Sequence, residues 1–241
     1  MNTTQTLEKL RSLRLSGMAS AYQNTLEGKQ TLTSDELLTY LVESEWNDRH
    51  TRKVNRHLRA AKFRYPASIE EVDYFSPRNL DKNLFLRLSD CSFIQRKENL
   101  LITGPTGTGK SFITSALGNQ ACMLNYRTGY FNTSKLFARL HSAHADNSFI
   151  REINRIERLE LLILDDFGLQ PLDTKTCQYL LEIIEDRHGR RSTILASQLP
   201  VSAWYDLFQE KTLADAILDR IIHNAHRIEM KGESLRKKNK K

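Results

Sequence analysis

Gly104-Pro105-Thr106-Gly107-Thr108-Gly109-Lys110-Ser111 is the run whose reading decides the fold. It matches G-x-x-x-x-G-K-[ST], the phosphate-cradling P-loop, a motif that carries meaning only between a strand and a helix. Both flanks are present. Leu100-Leu101-Ile102-Thr103 reads as a buried strand, and Phe112-Ile113-Thr114-Ser115-Ala116-Leu117 as the helix that follows. Gly104, Gly107 and Gly109 let the backbone curl until successive N–H groups face phosphate oxygens. The helix beginning near Lys110 adds its positive dipole end. Lys110 is placed to reach the β- and γ-phosphates, and the Ser111 hydroxyl to ligate Mg²⁺. The expected ligand is a nucleoside triphosphate.

Downstream, Leu161-Leu162-Ile163-Leu164-Asp165-Asp166 describes a central parallel strand that ends in two acids. The carboxyl edge of such a sheet is where ligands sit. Asp165 is assigned to Mg²⁺ through water, and Asp166 to polarising the attacking water. A further β-branched strand, Ser192–Ala196, runs into Ser197-Gln198. Polar groups there would lie beside the acidic strand end, within reach of a γ-phosphate. Between the loop and the acids, Thr128–Asn132 reads as a strand. Ser134 is expected to cap a helix over 135–141, and Arg151, Arg155 and Arg158 share a helical face over 142–158. Later, 178–187 and 213–222 read as helices, and 227–230 as a last strand.

Upstream, residues 6–28 carry one helical stripe stopped by Gly28, and Ser34 is expected to cap the next helix. That helix begins acidic and turns basic, with Arg49, Arg52, Arg56 and Arg59 on one face. The stripe serves either to track a phosphate backbone or as an ordinary solvated face. Pro66 ends it. Residues 66–99 read as a connector with one or two short helices, at Ser68–Glu71 and 80–88, whose aromatics Tyr74, Phe75, Phe85 and Phe93 need packing partners. The expected organisation is a helical domain over 1–65, an ATPase domain over 66–236, and a basic tail over 237–241.

The net charge of +7 and pI of about 9.3 point to polyanionic partners. No apolar run approaches bilayer length, which argues against a membrane partner. The start, Met1–Gln5, lacks the apolar core of a secretory signal. Three well-separated cysteines, Cys91, Cys122 and Cys177, read as reduced core fillers in a cytoplasmic protein.

Taken together, these motifs resemble an AAA+ ATPase of the initiator and helicase-loader clade: a P-loop fold with a central parallel sheet flanked by helices, preceded by a small all-helical domain. The segments Leu161–Leu169, Arg190–Pro200 and Leu213–Arg227 are similar to the IstB family of insertion-sequence transposition helpers, relatives of DnaC-type loaders. The resemblance implies ATP as the nucleotide. It also implies that Arg220 is the finger reaching a neighbouring subunit's γ-phosphate, that Gln198 with Ser197 is a phosphate sensor, and that Arg236 is a second sensor. Residues 142–158 lie where this clade carries its DNA-contacting insertion. Many AAA+ proteins have Asp-Glu where this chain has Asp165-Asp166, and the shorter second acid suits slow, DNA- or partner-stimulated hydrolysis.

The function this implies is an ATP-dependent helper that oligomerises on duplex DNA, remodels it and recruits or activates a transposase. A helicase loader differs from it in partner rather than chemistry. A small-molecule P-loop kinase is the reading from another class. It would use Arg187, Arg190 and Arg191 as a lid and leave the basic helix without a purpose.

Overall fold

A computed structural model describes residues 3–28 and 32–235, which places Arg236 and the basic tail outside the described residues. The chain divides into two compact units, Met1–Arg56 and His57–Lys241, and one long helix runs through the division.

In the first unit the single stripe over 6–28 is two helices, α1 (Thr3–Ser12) and α2 (Ser16–Glu27). Arg14 breaks them at φ +59°, with Leu15 N–H donating to Leu10 O and Arg14 N–H to Arg11 O. These two bonds form a Schellman closure with arginine where glycine is usual, so composition carried no sign of it. Gly28 does end α2. The third helix, α3 (Ser34–Ala61), is capped by Thr33 rather than Ser34. Thr33 and Glu36 bond reciprocally, the Thr-x-x-Glu capping box that the sequence displays. At Gly17 of α2, a Cβ would meet Ser44 O of α3 at 2.4 Å, so the two backbones touch only because glycine is there. The α2 terminus has no side-chain cap of its own; Glu45 of α3 accepts from Met18 N–H at 3.1 Å instead.

In the second unit α3 stops at Ala61, short of Pro66, because Lys62 turns left-handed at φ +56°. Ser68–Glu71 is a turn rather than a helix, closed by Ser68 N–H donating to Glu71. Helices α4 (Lys82–Ser89) and α5 (Ser92–Gln95) follow. Phe85 and Phe93 are fully buried and Tyr74 partly so, but Phe75 is 99% exposed and packs against nothing.

Five parallel strands make the sheet, in the order β2-β3-β4-β1-β5. They are β1 (Asn99–Thr103), β2 (Thr128–Asn132), β3 (Leu161–Phe167), β4 (Ser192–Ser197) and β5 (Ala225–Glu229). Between them lie α6 (Lys110–Met123), α7 (Thr133–Ala145), α8 (Phe149–Glu157), α9 (Thr174–Arg187) and α10 (Lys211–Ile222). The cap of α7 is Asn132, which accepts from Lys135 N–H, and not Ser134.

Alternation along the strands builds two cores. Leu100, Ile102, Leu161, Ile163 and Ile194 pack with Ile113 and Leu117 of α6. Leu101, Leu162, Leu164 and Leu195 pack with α7, α9 and α10. The three cysteines are buried, and burial raises the Cys91 thiol to about 12 and Cys122 to about 11, as expected for inert core fillers.

Candidate nucleotide site and its arginines

The P-loop hangs from the carboxyl end of β1, tied to β4 where Gly104 N–H donates to Ser197 O at 3.2 Å. Gly104, Gly107 and Gly109 all have positive φ. Gly104 and Gly107 also lack room, since a Cβ would meet Met230 O at 2.2 Å and the Ser234 hydroxyl at 2.0 Å. Helix α6 starts at left-handed Gly109 with no side-chain cap, whereas Asp81, Asn132 and Asp173 cap α4, α7 and α9. Its first turn thus suits an anion. Lys110, 7% exposed, donates from Nζ to Gly104 O at 2.7 Å and Pro105 O at 2.9 Å. Thr108 is buried and closes the loop by donating to Pro105 O, while Thr106 is exposed at the tip. Ser111 and Lys110 line a cavity of about 600 Å³ with Tyr65, Phe112 and Leu235.

Arg78 lies under this loop and is 3% exposed; sequence reading missed it. It donates to Thr108 O at 3.1 Å and to Asp73 O, and burial lowers its pKa. No linear motif ties a connector arginine to a loop thirty residues on.

The acids lie near the carboxyl end of β3, which continues one residue past them to Phe167. Asp165 is 1% exposed, with its Oδ2 accepting from the Tyr130 hydroxyl and its Oδ1 from Asp166 N–H at 2.9 Å. Burial first, then the Asp165 carboxylate, push the Tyr130 hydroxyl well above the usual phenol range, so it remains a donor. The β3–β4 register shifts between Leu164 and Phe167, and Asp166 sits at φ +58°. This bulge turns Asp166 away from the alternation and aims it at Asn132 Nδ2, 3.0 Å, and Arg64 Nη1, 3.1 Å. Arg64 Nη1 also lies 3.5 Å from Asp165 Oδ2. Asn132, Tyr130 and Arg64 were all missed. Of these, only Tyr130 and Asn132 could be found, by pairing β2 against β3 in register.

The donor set fits Mg²⁺, which keeps most of its waters and takes one or two protein oxygens; here Ser111 and Asp165 would hold it. No cluster of three acidic, histidine or cysteine ligands exists among the described residues.

Ser197 is fully buried and its hydroxyl donates to Phe167 O at 2.7 Å, a structural tie between β4 and β3. Gln198, next along, is half-buried at the carboxyl edge between the acidic strand and the P-loop strand.

Arg220 sits elsewhere. Its backbone carbonyl accepts from Asn99 Nδ2 at 3.4 Å, at the amino end of β1. Its guanidinium donates to Ala216 O at 2.7 Å and to Glu185 Oε1 at 2.9 Å, and is 30% exposed. The P-loop is at the far end of that strand, roughly 16 Å away at strand rise. Arg220 therefore does not serve its own loop.

The basic stripes are mixed. Arg49 pairs with Glu45 at 2.7 Å and Arg52 with Asp48 at 2.7 Å, so part of the α3 stripe is internally neutralised. Arg56 has no ion pair among the described residues, and Arg14 joins Arg49, Arg52 and Arg56 around one surface hollow of the first unit. Arg59 is exposed further along α3. Arg151 and Arg155 on α8 and Arg158 at its C-cap are all exposed, and Arg155 lies 3.8 Å from Glu152. Arg187, which the kinase reading needed in a lid, is 2% exposed and spent on Thr193 Oγ1 and the carbonyls of Ile156, Leu159 and Ser192. It cannot close over a substrate.

A parallel sheet of this order, with a phosphate loop after β1 and paired acids near the carboxyl end of β3, defines an ATP-binding protein of the AAA+ P-loop fold. Residues 8–241 match the family described as IstB-like ATP binding protein, and the chain belongs to it. A relative from Sinorhizobium fredii, named as an insertion sequence ATP-binding protein, is 47% identical over 234 residues, covering 96% of each chain. Among solved structures, AMPPCP-bound DnaA from Aquifex aeolicus is similar with a TM-score of 0.59 at 19% identity, covering 69% of this chain and 51% of that one. The DnaC helicase loader gives 0.54 at 19% identity, covering 66% of this chain and 94% of that one. These two likenesses concern the fold. Among the described residues, no helix is long and apolar enough to cross a membrane.

Proposed function

We propose that this protein is an ATP-hydrolysing, DNA-binding transposition helper that assembles on duplex DNA through nucleotide sites shared between subunits and there engages a transposase. The observation that carries this reading is the place of Arg220, at the opposite end of β1 from its own P-loop and partly exposed. A cation so placed meets a γ-phosphate only when a second copy supplies it.

In this reading Lys110 and the N–H groups of Gly107 to Ser111 hold the triphosphate, and Ser111 and Asp165 hold Mg²⁺. Mg²⁺ held there would supply charge neutralisation to the triphosphate. Asp166 orients the attacking water, Gln198 reports on the γ-phosphate, and the neighbour's Arg220 steadies the transition state. The α3 stripe and α8 arginines contact phosphates without reading bases, since no base-reading motif accompanies them. The work belongs in the cytoplasm, where ATP and DNA are found together.

The test is particle mass with and without duplex DNA, in ATP and in ADP. The reading expects large particles only with ATP, favoured by DNA. A monomer under all four conditions refutes shared sites.

A further inference from the structure

A hollow of about 690 Å³ in the second unit opens beside Asp166 at the carboxyl ends of β2 and β3. Lys62, Arg64, Lys135, Arg139 and Arg155 line it, against Asp166 as the one lining carboxylate. Glu152 answers Arg139 and Arg155. Lys62 and Lys135 make no side-chain ion pair among the described residues. The cavity therefore carries excess positive charge, which favours a phosphate.

Arg64 belongs to two sites at once. It lines this cavity, yet its Nη1 rests 3.1 Å from Asp166 and 3.5 Å from Asp165, the acids read above as water-orienting and metal-holding. One guanidinium cannot fully serve both a phosphate in the cavity and this acid pair. A cation held against Asp165 also opposes Mg²⁺ by charge.

We propose that the cavity is a phosphodiester site for nucleic acid, and that a phosphate seated there draws Arg64 off Asp165 and Asp166, removing a cation that opposes Mg²⁺ at Asp165. Nucleic-acid binding then raises metal affinity at the nucleotide site by removing a competing cation, with no rearrangement of the sheet. This rests on the DNA-binding reading for its ligand, but the competition between Arg64 and the metal does not.

The experiment measures Mn²⁺ binding to the whole chain by electron paramagnetic resonance, at saturating non-hydrolysable ATP analogue, with and without a duplex oligonucleotide. For the parent, duplex should tighten Mn²⁺ binding by about fivefold, the upper scale for releasing a part-exposed ion pair. Arg64→Ala should show that tighter binding without duplex and gain nothing when duplex is added. Lys62→Ala with Lys135→Ala should keep the parental value without duplex and lose the shift. Arg64→Lys, which keeps the cation and the fold, should stay near the parent.

Parental Mn²⁺ affinity in Arg64→Ala without duplex overturns the competition. A duplex shift that survives in Arg64→Ala overturns the coupling. An equal shift with 10 mM inorganic phosphate alone, about the scale at which weak free-anion binding saturates, reassigns the cavity to free anions and overturns the nucleic-acid assignment. If the parent fails to bind duplex, the proposed function falls, while the duplex-free comparison still decides whether Arg64 opposes the metal.

Discussion

Asp166 is the residue on which hydrolysis is expected to turn, and its setting is unusual: left-handed backbone, a bulge, and bonds from Asn132 and Arg64. An L-residue pays about 1–2 kcal/mol for that conformation, less for aspartate, so the site holds a side chain where the strand alone would not put it. Asp166→Asn preserves shape and removes charge. Turnover should drop by about 10²-fold or more, the usual scale for a lost base, while nucleotide still binds. Phosphate release assayed beside equilibrium nucleotide binding checks this, and unchanged turnover would move the role to another group. Arg187 gives a contrasting prediction. Burial lowers its pKa to about 9, so it stays charged at neutral pH while holding three carbonyls. Arg187→Met removes its bonds to those carbonyls and to Thr193 Oγ1, and should cost about 3 kcal/mol in urea unfolding. A cost near zero would mean water or a neighbour replaces it.

At the scale of elements, what the sequence showed and what it hid divide by the range of the interaction. The P-loop, the acidic strand, all five strands and the three helices α6, α9 and α10 were legible, because hydrophobic period and glycine placement are local signals. Caps were read one or two residues out: Thr33 rather than Ser34, Asn132 rather than Ser134. In each case the side chain that accepts stands just upstream. Long-range partners were invisible: Arg64 meets Asp166 across 102 positions, and Glu45 caps α2 across 27. That second contact gives a pH prediction. Burial pushes the Glu45 carboxyl up, but bonds from Arg49 and Met18 N–H outweigh it and leave the pKa below 4.5. A carboxylate depressed on folding stabilises above its unfolded pKa and loses that contribution as pH falls. Amide exchange over α2 should therefore quicken in Glu45→Gln relative to the parent at pH 7, by about 2 kcal/mol of opening energy. The gap should persist at the ordinary carboxylate pKa and close only as pH falls below it, through the depressed folded value. A gap independent of pH would make Glu45 a packing residue only. The same helix bears the stripe. Arg56→Ala should shrink the log–log salt slope of duplex binding by roughly one unit, and Arg52→Ala by less, because Arg52 is already held by Asp48. Equal slopes for parent and both variants return the stripe to an ordinary solvated face.

For the whole molecule the central claim is that the catalytic site is completed by a second copy. A solitary chain has its cradle at one end of β1 and its candidate finger at the other. If Arg220 merely pairs with Glu185 at the surface, it is worth at most about 1 kcal/mol and its loss is nearly silent. If it is a finger, Arg220→Ala leaves nucleotide affinity intact and removes a contribution of about 10³- to 10⁵-fold to stimulated turnover. Lys110→Ala fails for a different reason, by losing the cation that reaches the phosphates. Mixing the two folded, inactive variants in the presence of duplex DNA is the most direct measurement. The account predicts that ATP turnover returns, because mixed neighbours place an intact Arg220 against an intact P-loop. Two variants that stay inactive together, though each is folded and each binds DNA, would contradict it.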